Sequence, residues 1–492
     1  MLLFPTMQGN YNFQLQQCSN LQTMMNESSS TKSKSIMVDT PSVHFLDIIR
    51  ASVAANKYET FASWYNNKAD LTDQRTFKGI WERAGLVAYY LRHKWNVQKG
   101  QLVVLCYDFG LHFFEVFFGC LRAGVVAVLG KFDISLGAAF GWTSISPHLT
   151  IFSNILMLSA KVYPPSPPLK KSLTKLIKVI QDCDPILILT DSRVNGLRAL
   201  DKRNPVSKSR GLWPKHVRFQ VTDKLPRKSQ LYFDEERSTG SDVAFLQYTS
   251  GSTGEPKGVI VTFASLKANV QLLQDGFYKG HEEYRGFVPE KNAGVSWLPQ
   301  YHDLGLIYGC IMPIASGWQM HMISPISFIQ KPLLWLELMS QYKCAWSIAP
   351  NFAYQLVTRK FLEARNKANG KEPIPGLDLS SIFFLASGAE PIRIDTKETF
   401  EATFNQFGLP KRWFATAYGL AEHVVGVSWI SGQYVSKERA EDPLRYVAVG
   451  SEDTFYDSLV VKIVDPATCL EVEDRRVVAR RTQRHSRILQ QT

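Results

Sequence analysis

Cysteine is scarce in this sequence and is not arranged for cross-linking. The 492-residue chain has seven cysteines, an odd number, and no two of them are separated by only two residues. This spacing excludes a disulfide framework and zinc sites of the C-x-x-C type. We therefore expect reduced cysteines buried in the core, as is typical of a cytoplasmic protein.

The N-terminus lacks the pattern of a secretory signal. Residues 1–40 are polar and rich in Ser, Gln and Asn, without a basic stretch followed by an apolar run. Residues 1–38 contain no arginine, which disfavours an organelle-targeting peptide but leaves it as an alternative. We interpret 1–40 as a variable polar extension and predict a cytoplasmic location.

Long uncharged runs are rare, and the exception lies within residues 130–162. Nothing from Ile134 to Ala160 is charged, and a run of this length could cross a membrane. Pro147, His148 and Asn154 interrupt the run, together with several Ser and Thr residues. We therefore favour an inserted segment over a span and expect no membrane association.

Acidic residues are outnumbered, since 56 Lys and Arg against 44 Asp and Glu give a formal net charge of +12. Such a balance favours anionic partners. Six arginines lie between Arg475 and Arg487, so the rest of the chain is less basic. No aromatic-interleaved basic surface accompanies them, and we predict no nucleic-acid partner. With 45% hydrophobic and 12% aromatic residues, the chain has material for a large core or a lipid-sized pocket.

Helical and extended patterns alternate along the chain. Amphipathic segments alternate with short β-branched apolar runs at 77–95, 102–107, 112–124, 125–129, 173–183, 186–191, 328–344 and 345–350. This alternation predicts an α/β fold with a largely parallel sheet covered by helices.

A run of Ser, Thr and Gly follows an extended segment at 245–259, FLQYTSGSTGEPKGV. Glycines let the backbone approach a phosphate, free N–H groups and hydroxyls donate to its oxygens, and a lysine adds positive charge. The string is not a Walker loop, because Lys257 follows Gly254 by three residues and precedes a glycine. A flexible Ser/Gly loop without a ligand is the alternative.

Twelve contiguous residues, YTSGSTGEPKGV, resemble the signature loop of the adenylate-forming superfamily. The resemblance implies the large N-terminal domain of the acyl-adenylate-forming ligase fold, with layered sheets and helices. It also implies that the β- and γ-phosphates of ATP are held by Thr249, Ser250, Gly251, Ser252, Thr253, Gly254 and Lys257.

A second string, SWLPQYHDLGLIYG at 296–309, resembles the acyl-pocket motif in the form found in fatty acyl-AMP ligases. Acyl-CoA ligases usually have a Pro-Leu-Phe-His-type string instead. The resemblance places His302 beside the substrate carboxylate at the mouth of the acyl tunnel, as a catalytic residue. A lone histidine in an aromatic setting is otherwise more often structural.

Two further strings, LASGAEPIR at 385–393 and ATAYGLAEH at 415–423, resemble the adenine-side motifs of the same superfamily. They imply a catalytic, magnesium-binding role for Glu422, since Mg²⁺ prefers carboxylate and phosphate oxygens. Taken singly, Tyr418 would be a core residue and Glu422 a surface acid. The adenine-binding residues implied are Gly388, Ala389, Glu390, Ala417, Tyr418 and Gly419.

The resemblance covers residues 41–474, which we interpret as one AMP-binding (adenylation) domain. In the family, the strand equivalent to 125–128 leads almost directly to a Tyr-Pro-Pro segment like that at 163–165, and we therefore interpret 130–162 as an insertion. Residues 475–492 change abruptly to arginine-rich sequence. We expect a basic disordered tail there, with a frameshifted or alternatively spliced end as the alternative.

The resemblance implies ATP-dependent activation of a fatty acid to an acyl-adenylate, with Mg²⁺ as cofactor and acyl carrier protein as a possible acceptor. The family's ribose-binding Asp and the lysine of its small C-terminal lid domain have no match in this sequence, so we expect weak adenylation. The alternatives are a noncatalytic nucleotide- or lipid-binding protein or a truncated gene product and, less favoured, an acyl-CoA ligase.

Overall fold

The computed structural model describes residues 43–130, 169–204, 207, 209, 211–226, 238–249, 256–279, 292–411 and 413–431. The predicted polar extension, the insertion from residue 131 onward and the basic tail lie outside these residues.

Fourteen strands of the described chain form two sheets. In chain order they are β1 Thr60–Tyr65, β2 Leu71–Thr76, β3 Leu102–Cys106, β4 Val126–Leu129, β5 Leu187–Thr190, β6 Arg218–Val221, β7 Val243–Thr249, β8 Lys257–Thr262, β9 Ala293–Ser296, β10 Gln319–Ile323, β11 Trp346–Ala349, β12 Phe384–Ser387, β13 Phe414–Gly419 and β14 Gly426–Ser431.

Helices connect most of these strands. They are α1 Phe45–Ala55, α2 Phe77–Tyr89, α3 His112–Arg122, α4 Leu169–Cys183, α5 Ser192–Arg203, α6 Phe263–Lys279, α7 Asp303–Leu306, α8 Met312–Ser316, α9 Pro325–Gln330, α10 Leu334–Gln341, α11 Asn351–Lys367 and α12 Ile394–Phe404. Single π or 3₁₀ turns at Tyr90–Lys94, Ile307–Ile311, Asn405–Phe407 and Ala421–His423 extend or connect them.

The larger sheet has eight strands in the order β14-β13-β12-β11-β9-β10-β1-β2. Its central strands are parallel, and antiparallel pairs close both ends. The smaller sheet has six strands in the order β6-β5-β3-β4-β7-β8, parallel except for the β7–β8 hairpin. The predicted largely parallel α/β architecture is confirmed.

Helices cover both faces of the smaller sheet. Val103 and Leu105 of β3 face the main hydrophobic core, whereas Val104 and Cys106 belong to a second core formed with α4 and α5. Because side chains alternate along a strand, a strand that is apolar throughout must be buried on both faces. The continuous apolar run of β3 is explained in this way.

Most predicted segments are observed close to their expected ends, but one helix is divided. The segment 328–344 forms the end of α9 and then α10, separated at Lys331. Proline disfavours helical backbone in the residue before it, and Pro332 follows Lys331, whose ψ is 76°. The described cysteines are unpaired, and all except half-buried Cys183 are buried, as predicted.

None of the helices within the described ranges combines the length and the apolar character that crossing a membrane requires.

Candidate active site

The Ser/Thr/Gly string lies between two paired strands. Strands β7 and β8, which we call the phosphate hairpin, are antiparallel, and Thr249 at the end of one is paired with Lys257 at the start of the other. The predicted phosphate-binding residues Ser250, Gly251, Ser252, Thr253 and Gly254 lie outside the described residues. The two ends of the predicted loop therefore lie side by side, with the Lys257 side chain exposed to solvent.

The remaining predicted motifs lie at or near the carboxyl ends of parallel strands in the larger sheet, with β11 between β9 and the adjacent pair β12 and β13. The acyl-pocket motif follows β9, the first adenine motif follows β12, and the second runs along β13. Since parallel strands end at the same edge of a sheet, residues distant in sequence come together there, which is the usual position of ligand sites in open α/β sheets.

His302 lies in the turn after β9, which we call the acyl turn (residues 297–303). Its side chain is 52% exposed, and its Nδ1 lies 2.5 Å from Asp303 Oδ1. The same nitrogen is 3.4 Å from the backbone N–H of Leu304 at the start of α7. These contacts orient the imidazole locally and leave part of it accessible to a substrate.

Two glutamine side chains connect the acyl turn to the smaller sheet. The amide of Gln300 donates to Gly110 O at 2.8 Å and accepts from Gly110 N at 2.9 Å. Gln247 of β7 donates through Nε2 to Tyr301 O at 2.6 Å. The residue immediately before His302 is thus hydrogen-bonded to a strand of the phosphate hairpin.

The two adenine motifs are adjacent in space. Strands β12 and β13 are parallel, with Ser387 opposite Thr416. A Cβ on Gly388 would lie 2.8 Å from Ala417 O, so only glycine permits this approach. Ala389 has a φ of 64°, in the left-handed region that a side chain disfavours. The chain therefore turns sharply at the positions assigned to the adenine edge.

Glu390 has a structural contact that the sequence did not indicate. Its Oε1 accepts a hydrogen bond from the backbone N–H of Phe352 at 2.6 Å, in the first turn of α11. Burial raises the pKa of Glu390, and this hydrogen bond partly opposes the rise. A carboxylate at a helix N-terminus is stabilising, so Glu390 contributes to the local fold whatever ligand binds nearby.

Glu422 lies close enough to Tyr418 to affect the pKa of its phenol. Burial raises the pKa of the Tyr418 phenol, and the negative charge of Glu422 raises it further. Tyr418 is half-buried, whereas Glu422 is exposed. An aromatic face and an accessible carboxylate are thus present at the end of β13, as the proposed purine and metal sites require.

The phosphate hairpin also reaches the second adenine motif. Strand β8, which begins at Lys257, contacts the turn Ala421–His423. In addition, Asn269 of α6 donates to Gly426 O at 2.8 Å. Through these contacts and the Gln247 bond, the structure brings the two strands of the phosphate hairpin next to the His302 and the Glu422 segments. Sequence reasoning assigned no role to Gln247 or Asn269.

The polar groups at this edge fit a nucleotide and a hard cation. Ser387 Oγ, next to Gly388, is buried without a hydrogen-bonding partner among the described residues. No group of three or more His, Cys, Asp or Glu side chains able to hold a metal is found in the described chain. Nucleotide-bound Mg²⁺ usually takes one or two carboxylates and completes its shell with phosphates and water, and Glu422 fits that requirement.

The two sheets, with the phosphate hairpin contacting both the acyl turn and the turn that contains Glu422, have the architecture of the large domain of the adenylate-forming ligases. The chain belongs to the family described as AMP-binding enzyme, whose model matches residues 149–477.

Relatives with assigned names support this membership. The chain is 31% identical over 368 residues to the medium-chain-fatty-acid--[acyl-carrier-protein] ligase JamA of Moorena producens, covering 74% of this chain and 52% of the relative. It is 32% identical over 310 residues to the long-chain-fatty-acid--AMP ligase FadD28 of Mycobacterium tuberculosis, covering 60% of this chain and 50% of the relative. The chain thus spans about half the length of these relatives.

A solved structure agrees with the sequence relatives. The fatty acyl-adenylate ligase from L. pneumophila, in complex with acyl adenylate and pyrophosphate, aligns with a TM-score of 0.62 and 27% identity. The alignment covers 87% of this chain and 66% of that one.

Proposed function

We propose that this chain takes part in the ATP-dependent activation of a fatty acid to an acyl-adenylate. In this reaction a carboxylate oxygen attacks the α-phosphorus of ATP, a P–O bond forms, the bond to the β-phosphate oxygen breaks, and pyrophosphate leaves. Family membership and the names of the relatives support this reaction class.

The proposed roles follow the placement of the side chains. Thr249 and Lys257, with residues 250–254 between them, would hold the β- and γ-phosphates. Tyr418 would provide a face for the purine beside the backbone of Gly388, Ala389 and Glu390, with Ala417 and Gly419 completing the edge. His302 would lie at the fatty-acid carboxylate.

Magnesium, when bound with ATP at Glu422, would neutralise phosphate charge as the P–O bonds change. The chain's own contribution is positioning and fixed charge. Lys257 would add a cation at the phosphates, and the acyl turn, joined to β7 by Gln247, would hold the fatty-acid carboxylate.

The observation that carries the proposal is the double contact of the phosphate hairpin. Gln247 joins β7 to the residue before His302, and β8 contacts the turn that contains Glu422. If the Ser/Gly loop bound no ligand, there would be no reason for its two strands to contact the segments that contain His302 and Glu422.

The acceptor of the acyl group is a second part of the proposal. JamA is named for ligation to acyl carrier protein, and the His302 motif has the fatty acyl-AMP ligase form. We propose acyl carrier protein as the acceptor in preference to coenzyme A. Acyl transfer assays with each acceptor in parallel distinguish the two.

Calorimetric titration with ATP, with and without Mg²⁺, tests the nucleotide site directly. We expect magnesium-dependent binding that weakens at least about tenfold in Lys257→Ala and Glu422→Gln, because each loses a charge-assisted contact. Lys170→Ala on α4 and Glu398→Gln on α12 change residues that are also exposed and serve as matched controls.

Detection of acyl-adenylate and pyrophosphate exchange with medium- and long-chain fatty acids then tests the reaction. A folded protein that binds no ATP, or one in which the controls weaken binding as much as the site variants, would contradict the proposal. ATP binding without acyl-adenylate formation under any condition would favour the noncatalytic nucleotide-binding alternative.

A further inference from the structure

The segment after Glu422 contains a strained turn. Val424 has φ 65° and ψ −62°, and the backbone N–H of Val425 donates to His423 O at 2.7 Å. This is a γ-turn of the positive-φ kind, which is rare because it crowds the side chain against the backbone. For a β-branched residue such a conformation is a genuine outlier.

Strain of this kind persists only where the surroundings determine it. Asn269, only 3% exposed, supplies a pair of hydrogen bonds to one residue of the turn. Its Nδ2 donates to Gly426 O at 2.8 Å, and its Oδ1 accepts from Gly426 N at 3.3 Å. His423 Nδ1 lies 2.6 Å from the same carbonyl oxygen and donates to it.

Packing reinforces these bonds. A Cβ on Gly426 would lie 2.6 Å from Leu273 Cδ2, so the turn lies directly against α6. The backbone N–H of Leu420 donates to Val425 O at 2.9 Å and closes the other side. We call residues 420–426 the Glu422 turn, because they include the predicted metal ligand.

Helix α6 is continuous with the phosphate hairpin. Strand β8 runs from Lys257 to Thr262, and α6 begins at the next residue, Phe263. Asn269 therefore lies on the helix that directly follows the strand of the proposed phosphate-binding lysine. Its hydrogen bonds to Gly426 are a physical connection between the two ends of a metal–nucleotide site.

We propose that Asn269 is a positioning residue that holds the strained Glu422 turn and so fixes the Glu422 carboxylate relative to the phosphate hairpin. The role rests on the proposed nucleotide-binding function. Without Asn269, Val424 relaxes toward negative φ, and Glu422 moves with it.

The proposal makes a prediction that ordinary structural support would not make. Glycine adopts positive φ without strain, so Val424→Gly removes the tendency of the turn to relax. In that background the hydrogen bonds of Asn269 no longer have to maintain a strained backbone conformation at position 424. Loss of Asn269 should then matter less, and a double-mutant cycle measures the difference.

The experiment compares the parent chain, Asn269→Leu, Val424→Gly and the double variant. Leucine matches the shape of asparagine and removes both hydrogen bonds. Ala69→Gly is the matched control for the glycine change, since Ala69 has φ 66° in the turn between β1 and β2. ATP dissociation constants are measured by calorimetry with and without Mg²⁺, and thermal midpoints are measured without ligand.

We expect Asn269→Leu to weaken magnesium-dependent ATP binding about tenfold and magnesium-free binding less than about twofold. In the Val424→Gly background the same change should weaken magnesium-dependent binding less than about threefold. The fall in thermal midpoint on losing Asn269 should also be smaller there. Ala69→Gly should leave ATP binding unchanged.

Equal losses with and without Mg²⁺, or equal losses in both backgrounds, overturn the role of Asn269. If the parent chain binds no ATP, the proposed function fails. The ligand-free cycle of thermal midpoints still shows in that case whether Asn269 holds a strained turn, which separates the two failures.

Discussion

Two buried polar regions of this protein use opposite chemistry. The first, a charged cluster, joins β2, α2 and α3 around Glu115, which is 1% exposed. Glu115 contacts Arg75 Nε at 2.5 Å, His112 Nδ1 at 2.6 Å and Arg83 Nε at 3.5 Å. His112 Nε2 continues to Thr222 Oγ1 at 2.8 Å. The second region consists of the neutral amides of Gln247, Gln300 and Asn269 around the candidate site.

The comparison indicates that buried ion pairs stabilise one region, whereas neutral hydrogen bonds connect the loops of the candidate site. Each Glu115 oxygen has a charged partner, and breaking a buried ion pair leaves an uncompensated charge. Neutral amides connect the site loops without placing a competing charge beside ATP or a carboxylate. One of them is incompletely paired, since Gln247 Oε1 is buried without a partner among the described residues.

Removal of the central carboxylate should have the largest effect. We expect Glu115→Ala to lower the free energy of unfolding by roughly 3–5 kcal/mol, because Arg83 and His112 lose their acidic partner and Arg75 keeps only Asp73. Chemical denaturation measures this. A change below about 1 kcal/mol would show that water reaches the cluster and that the contrast between the two regions is false.

The pH dependence of stability should come from the charged cluster and not from the amides. Burial alone would raise the pKa of Glu115, but its hydrogen bond to His112 and the charges of His112 and Arg75 hold the pKa at about 2. The folded pKa is below the ordinary value, so this stability is present above pH 4.5 and is lost as the pH falls toward 2.

We expect this loss to amount to about 3 kcal/mol in the parent chain. Glu115→Gln should lack this component, whereas Gln247→Leu should retain it. Denaturation midpoints measured across the acid range test the difference. Identical acid profiles for the parent chain and Glu115→Gln would contradict the assignment.

Gln300→Leu should have an intermediate effect on stability. It removes two hydrogen bonds and leaves the N–H and C=O of Gly110 without their partner, which we expect to cost about 2 kcal/mol. Gln274→Leu is the matched control, because Gln274 makes a single bond, to Ser316 Oγ at 2.7 Å. Thermal midpoints that fall equally in both variants would show that the two hydrogen bonds of Gln300 stabilise the protein no more than the single bond of Gln274.

Gln247→Leu should have the smallest effect on stability. It loses the bond to Tyr301 O but also removes the unpartnered Oε1, so the free energy of unfolding should change by less than about 1 kcal/mol. Fatty-acid binding should nevertheless weaken about threefold, since the residue before His302 is released. Unchanged fatty-acid affinity would show that the hydrogen bond between Gln247 and the acyl turn does not affect fatty-acid binding.

Much of the fold could be predicted because burial leaves a local pattern. The continuous apolar run of β3 and the amphipathic segment that became α3 indicated covered strands and helices. Strand β8 was less apparent, since Lys257 and the exposed Ile260 do not resemble a buried strand. Backbone pairing with β7 holds β8 in place, and this pairing leaves no apolar pattern in the sequence.

The candidate site was also only partly predictable from the sequence. The strings at 248–259, 296–309, 385–393 and 415–423 each consist of consecutive residues, and their resemblance to known motifs indicated the family. Nothing local showed that Glu390 would accept from Phe352 N, or that Gln247 would reach Tyr301 O, 54 residues away. Such bonds depend on strand order, which sequence spacing does not encode.

By itself the sequence determined the local properties of the chain: which segments are apolar, where glycine permits a close approach, and which residue types can hold phosphate, purine or metal. The tertiary structure decided which of these meet. Asn269 and Gly426 are 157 residues apart and come together only because α6 packs against the β13–β14 end of the larger sheet. The positive φ of Val424 has the same origin, since long-range hydrogen bonds and packing there outweigh the local preference of a β-branched residue.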